Sequence, residues 1–126
     1  MIILDTSVLV AILFKDDRRH AQAVNLIGKV EEPLAIPNSV LVETFGVLRR
    51  LTRDEAFVSS SIKRLAEKYT LIAESIEVID ASVNEYSEKF SKLSLIDCQL
   101  VEIHRQTGIQ VLTFDEELKK ELESTV

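Results

Sequence analysis

Ile2-Ile3-Leu4-Asp5-Thr6-Ser7-Val8-Leu9-Val10-Ala11-Ile12-Leu13-Phe14 carries the architecture in miniature. Ile2-Ile3-Leu4 is an apolar run too short for a helix and reads as a buried strand. Asp5-Thr6-Ser7 then offers three residue types that cap helices, and the apolar run resumes at Val8 and continues to Phe14. Strand, polar turn, helix is the first half of a crossover unit.

The pattern repeats along the chain. Asp16 or Asp17 can open a second helix through Ala21, Val24, Leu26 and Ile27, stopping near Gly28. Leu34-Ala35-Ile36, between Pro33 and Pro37, is confined to a short strand. Asn38 or Ser39 is placed to cap a helix with Val40, Leu41, Thr44, Phe45, Leu48 and Leu51 at helical spacing. Arg53-Asp54-Glu55 starts another, with Phe57, Val58, Ile62, Leu65 and Ala66 inward. Ile76 to Ile79 reads as a third strand, and Ser82 as the cap of a helix through Val83, Tyr86 and Phe90. Ser94 opens a helix that Gly108 closes; Ile109 to Leu112 is a fourth strand, and Asp115 caps a last helix. Alternating strands and helices predict an α/β fold around a parallel sheet of four or five strands.

At 126 residues the chain has the length of a single domain, 1–126, with no linker or repeat. Its 15 basic and 21 acidic residues give a net charge of −6, so bulk charge does not attract a polyanion. Metal ions or a local basic patch would have to do so. The one cysteine, Cys98, excludes a disulfide framework and a multi-cysteine zinc site and fits a reducing, cytoplasmic setting. No run approaches the ~20 apolar residues of a membrane span. No positive charge precedes the apolar start, which argues against a signal peptide.

In open parallel sheets ligands bind beyond the carboxyl ends of the strands. Asp5 follows the first strand and Asp115 the fourth. Either could be a helix cap and no more. Asp97 closes Ser94-Leu95-Ile96-Asp97, a capping-box pattern with Asp in place of the longer Glu. Glu43 has Ser39, Val40, Gly46 and Val47 as its helical neighbours, none of them basic. A carboxylate on an apolar helix without a local partner points to a ligand or a distant partner, against the plainer reading of a solvent-facing side chain. Jointly the four can form one acidic pocket. Clustered carboxylates repel unless a cation is present, and an all-oxygen set favours Mg²⁺ or Mn²⁺ over zinc. Such ions hydrolyse phosphodiesters.

These residues resemble the PIN-domain ribonucleases. Asp5-Thr6-Ser7-Val8-Leu9 is similar to the family's opening motif; Glu43, Asp97 and Thr113-Phe114-Asp115 follow in its order. The resemblance spans essentially the whole chain. It implies a three-layer α/β/α sandwich and metal-dependent cleavage of single-stranded RNA. It implies that Asp5, Glu43, Asp97 and Asp115 are catalytic and ligate Mg²⁺ or Mn²⁺ directly or through water, with Thr6, Ser7 and Thr113 orienting them. Small members are often VapC-type toxins, commonly homodimeric and held inactive by an antitoxin. Cys98 stands where a small apolar residue is usual, and no further strand is evident before Val126.

Among other residues, Arg49, Arg50 and Arg53 form the densest basic group and could contact RNA phosphates, although a solvated helix end is the plainer reading. His20 reads as a surface residue, Phe14, Phe45 and Phe90 as core, and His104 lies ~10 Å along a helix from Asp97, too far to share an ion. The competing reading is a catalytically silent module of the same fold that binds RNA or a protein. Phosphatases with Asp-x-Asp are excluded by Ser7, and no Walker-type loop is present.

Overall fold

The computed structural model describes residues 1–89 and 92–125. In chain order its elements are β1 (Ile2–Leu4), α1 (Thr6–Leu13), α2 (His20–Gly28), β2 (Leu34–Pro37), α3 (Asn38–Leu51) and α4 (Glu55–Lys68). Then come β3 (Thr70–Ile72), α5 (Ile76–Lys89), α6 (Leu95–Thr107), β4 (Gln110–Leu112) and α7 (Glu116–Ser124).

The four strands form one parallel sheet in the order β3-β2-β1-β4. Ile2, Ile3 and Leu4 are all buried, so β1 is covered on both faces and its sequence shows no alternation. The helices that cover it fall into two packed groups, α1 to α4 and α5 to α7. The result is the expected α/β/α sandwich. Ile3, Leu4, Leu9, Ala35, Ile36, Leu100 and Leu118 are fully buried in its core. No helix among the described residues is long and apolar enough to cross a membrane.

Strand order carries the functional consequence. From β1 the chain steps outward through β2 to β3, then returns past β1 to form β4. The direction of winding reverses between β1 and β4, which opens a crevice at their carboxyl ends. Leu4 pairs with Leu112, so the residues that leave the two strands, Asp5 and Thr113, emerge side by side.

Several expectations need correction. The third strand is Thr70–Ile72, not Ile76 to Ile79, which forms the first turn of α5. Val78 and Ser82 are buried one helical turn apart while Ile76 and Ile79 are exposed, the period of a helix and not of a strand. Ser75 accepts the Val78 N–H at 3.2 Å and begins that helix. Ser82 lies inside it and donates to the Val78 carbonyl. Neither Asn38 nor Ser39 caps α3; Glu74 reaches its first turn and accepts from the Ser39 amide and hydroxyl at 3.0 and 2.6 Å. That places a negative charge at a helix N-terminus, where the dipole favours it. The second helix opens at His20, after Asp17 has accepted the Arg19 N–H in the preceding turn. Phe45 is exposed, Phe14 is half-buried, and Phe90 lies outside the described residues. His20 is half-buried, its Nδ1 bonded to the Ala11 carbonyl at 2.7 Å.

Gly108 ends α6 at φ 74°, in the left-handed region. An added Cβ there meets no atom within 4 Å. Gly108→Ala should therefore cost about 1 kcal/mol through the backbone alone. Urea unfolding should show a lower midpoint and an unchanged slope.

Candidate active site

The crevice between β1 and β4 is a pocket of about 330 Å³. Asp5, Glu43, Asp97 and Asp115 all line it, with Thr6, Ser7, Asp17, Arg19 and Ser94. The four acids selected in the sequence are thus brought together from the end of β1, the middle of α3, the start of α6 and the turn after β4.

Each acid is held by one oxygen. Asp5 sits at the position that caps α1, but its backbone carbonyl receives the Val8 and Leu9 N–H groups and its side chain makes no cap bond. Its Oδ2 instead accepts the Thr113 hydroxyl at 2.6 Å and the Ser7 hydroxyl at 3.1 Å. Glu43 accepts the Thr6 hydroxyl on Oε1 at 2.5 Å, a distant partner from 37 residues away. Asp97 does complete a capping box: its Oδ2 accepts the Ser94 N–H at 3.1 Å while Ser94 Oγ accepts the Asp97 N–H. Asp115 caps α7 through Oδ1, which accepts the Leu118 N–H at 3.0 Å. The remaining oxygen of every one of the four has no hydrogen-bond partner among the described residues. The cap readings of Asp97 and Asp115 and the pocket reading hold together, because a carboxylate has two oxygens.

Two hydroxyls tie the turn after β4 to the turn after β1. Thr113 donates to Asp5 and accepts the Asp115 N–H at 3.0 Å; Ser7 donates to Asp5 and accepts the Phe114 N–H at 3.0 Å. Asp5 and Thr113 are 4% exposed, so these bonds form out of water, where hydroxyls fix a carboxylate more firmly.

Burial pushes the Asp97 carboxyl up to about 6; hydrogen bonds from Ser94 pull it down, and the charges of Asp5 and Asp115 push it further up. A positive charge in the pocket opposes those repulsions. The donor set therefore fits a hard divalent cation: all oxygen, one uncommitted oxygen per acid, with Asp97 repelled by Asp5 and Asp115. As placed, no three of the described His, Cys, Asp and Glu side chains enclose an ion.

Arg19 also lines the pocket, with its guanidinium 5.3 Å from the centre of the Phe114 ring. The sequence reading missed Arg19, Asp17 and Ser94 as pocket residues. Nothing in Lys15-Asp16-Asp17-Arg18-Arg19 distinguishes the arginine that turns inward. Arg49, Arg50 and Arg53 do not line the pocket; Arg49 pairs with Glu55 at 3.2 Å on the surface. His104 is bonded through Nδ1 to the Ile109 carbonyl at the end of its helix, and Cys98 is buried in the core.

Fold and pocket together define a class: parallel-sheet α/β proteins with an all-oxygen acidic pocket at the reversal point of the sheet. Within that class the chain belongs to the PIN domain family, whose sequence profile matches residues 2–121. Against curated protein sequences it finds no significant match. Similar solved structures include the VapC20 toxin of Mycobacterium tuberculosis, which cleaves the sarcin–ricin loop. That structure is 23% identical, with a TM-score of 0.83, over 95% of this chain and 94% of that one. VapBC2 of Rickettsia felis, solved on a DNA fragment of its promoter, is 18% identical with a TM-score of 0.70, over 95% and 92%. A toxin–antitoxin complex of Klebsiella pneumoniae is 18% identical with a TM-score of 0.64, over 91% and 87%.

Proposed function

We propose that the protein is a metal-dependent endoribonuclease that hydrolyses single-stranded RNA in the four-carboxylate pocket. The observation that carries this reading is the uncommitted oxygen on each of Asp5, Glu43, Asp97 and Asp115 within one pocket. Those residues would hold Mg²⁺ or Mn²⁺, in part through water. Bound there, the cation supplies Lewis acidity toward a phosphate oxygen and makes an attacking water more acidic.

The chain's own residues do the rest. Thr113 and Ser7 hold Asp5 by one oxygen and present the other. Thr6 holds Glu43 in the same way. Arg19 provides a positive charge for a non-bridging phosphate oxygen. Water attacks phosphorus and gives up a proton to solvent, the P–O bond to the leaving nucleoside oxygen breaks, and that oxygen takes up a proton from solvent.

Membership of the PIN family and the likeness to VapC toxins support a toxin restrained by an antitoxin, acting in the cytoplasm. Exposed Val42 and Phe45 on α3, with Ile76, Ile79 and Val83 on α5, offer apolar surface for a homodimer.

The test is cleavage of a labelled single-stranded RNA with Mg²⁺, with Mn²⁺ and with EDTA. Cleavage should appear with either ion and stop with EDTA. Undiminished cleavage in EDTA defeats the metal reading. An inert protein that still binds the RNA supports the silent module.

A further inference from the structure

A second cleft, of about 470 Å³, lies against α1, α2 and α4. Its size is that of a small-ligand site, roughly 300–1,000 Å³. Lys15, His20, Arg64 and Lys68 line it together with the rings of Phe57 and Tyr69, and no acid does. Lys68 Nζ stands 5.5 Å from the centre of the Tyr69 ring. His20 is fixed through Nδ1, which donates to the Ala11 carbonyl and leaves Nε2 for another partner.

What sets this cleft apart is its lining of three cations and an imidazole beside two aromatic rings, with no acid among them. Lys15, Arg64 and Lys68 have no carboxylate partner among the described residues. In a chain of net charge −6, this is an unneutralised basic concentration. The cleft also adjoins the acidic pocket along the chain: Arg19 lines one and His20 the other, as do Val10 and Leu13 of α1. Val10 and Leu13 are ~4.5 Å apart along the helix axis.

We infer that this cleft is a second nucleotide subsite, which seats a phosphate and base of the RNA strand whose neighbouring bond lies in the acidic pocket. The inference rests on the proposed ribonuclease activity. Cations that follow a backbone beside aromatic faces for bases are the usual means of holding single strands without sequence preference. The cleft also answers how an acidic protein attracts RNA: the charge is local. An acidic protein segment is the rival occupant, but the aromatic rings of Phe57 and Tyr69 beside the cations, faces on which bases stack, favour RNA.

The experiment uses the Asp5→Asn protein, its fold checked by circular dichroism, so that binding is read without cutting. Its affinity for a labelled 20-nucleotide single-stranded RNA is measured across a salt series, before and after the pair Arg64→Gln, Lys68→Gln. The pair should weaken binding roughly tenfold and lower the salt slope by about 1.4, or ~0.7 per lost phosphate contact. Arg49→Gln with Arg50→Gln removes the same charge and should do much less. Equal losses from both pairs, or a loss from the Arg49 pair alone, overturns the subsite. Retained RNA affinity beside lost binding of a fluorescent deca-glutamate peptide overturns it in favour of a protein partner.

Cleavage by the native protein is scored separately. Cleavage with no effect of the Arg64 pair on binding sinks the subsite and leaves the ribonuclease standing. Binding sensitive to that pair, without cleavage, upholds the subsite and sinks the ribonuclease. Neither binding nor cleavage sinks both.

Discussion

Asp97→Asn is expected to reduce metal-dependent RNA cleavage by more than about 100-fold, the upper cost of losing even an outer-shell partner of a metal site. The same change should raise the melting temperature at pH 7.5 in metal-free buffer. Asn keeps an oxygen for the Ser94 N–H, so the start of α6 stays capped. What disappears is a partly buried charge near Asp5 and Asp115. In the folded chain Asp97 binds its proton up to about pH 6, against 3.8 for the unreacted side chain. Folding therefore favours the protonated form, and ionisation costs stability as pH rises from about 4 to 6. The melting advantage of Asp97→Asn should be full above pH 6 and vanish as pH falls to about 4. Mg²⁺ or Mn²⁺ should reverse the order, because it stabilises the native protein by binding the folded form and the variant far less. Calorimetry across pH, with and without metal, measures all three. A variant that melts lower than the native protein without metal would show that the Asp97 charge is not under strain.

Thr113→Val is the second large effect. The substitution keeps the branched shape and removes one hydroxyl, which donates to Asp5 and accepts from the Asp115 amide. Thr113 is 4% exposed, so water does not replace it. The Asp115 N–H that loses its partner is only part-buried, so that bond is worth about 0.5–1.5 kcal/mol. Cleavage should fall about 10- to 100-fold, mostly as weaker apparent affinity for the metal, because Asp5 loses its shorter hydrogen bond. Thr113→Ser keeps the hydroxyl and should recover most of both losses. A metal titration of cleavage separates this positioning role from general damage. A Thr113→Val protein with unchanged metal dependence would show that Asp5 is held well enough by Ser7 alone.

The acids were legible for unequal reasons. Asp115 and Asp97 stand where caps belong, and each does cap its helix. That made their positions readable and their chemistry ambiguous, since a cap occupies one oxygen and says nothing of the other. Glu43 was legible through what it lacked, a basic neighbour one turn away; its partner proved to be Thr6, across the sheet's open end. Arg19 was not legible, because its role depends on how a turn is folded against Phe114. The third strand was misplaced for a related reason. Ile76-Glu77-Val78-Ile79 has the composition of a strand, yet Ser75 caps it as a helix, and the edge position beside β2 goes to Thr70–Ile72.

By itself the sequence determined the alternation of strands and helices, most helix starts and stops, and the four acids with their order. Those are matters of neighbours within one or two helical turns: a cap and its amide, an apolar period, a glycine able to take positive φ. The tertiary structure alone decided that the four acids share a pocket. It placed Leu4 against Leu112, reversed the winding between β1 and β4, and brought Thr113 to Asp5. Contacts between residues a hundred positions apart come from strand pairing and the packing of helices on both faces of the sheet, and no local pattern encodes them.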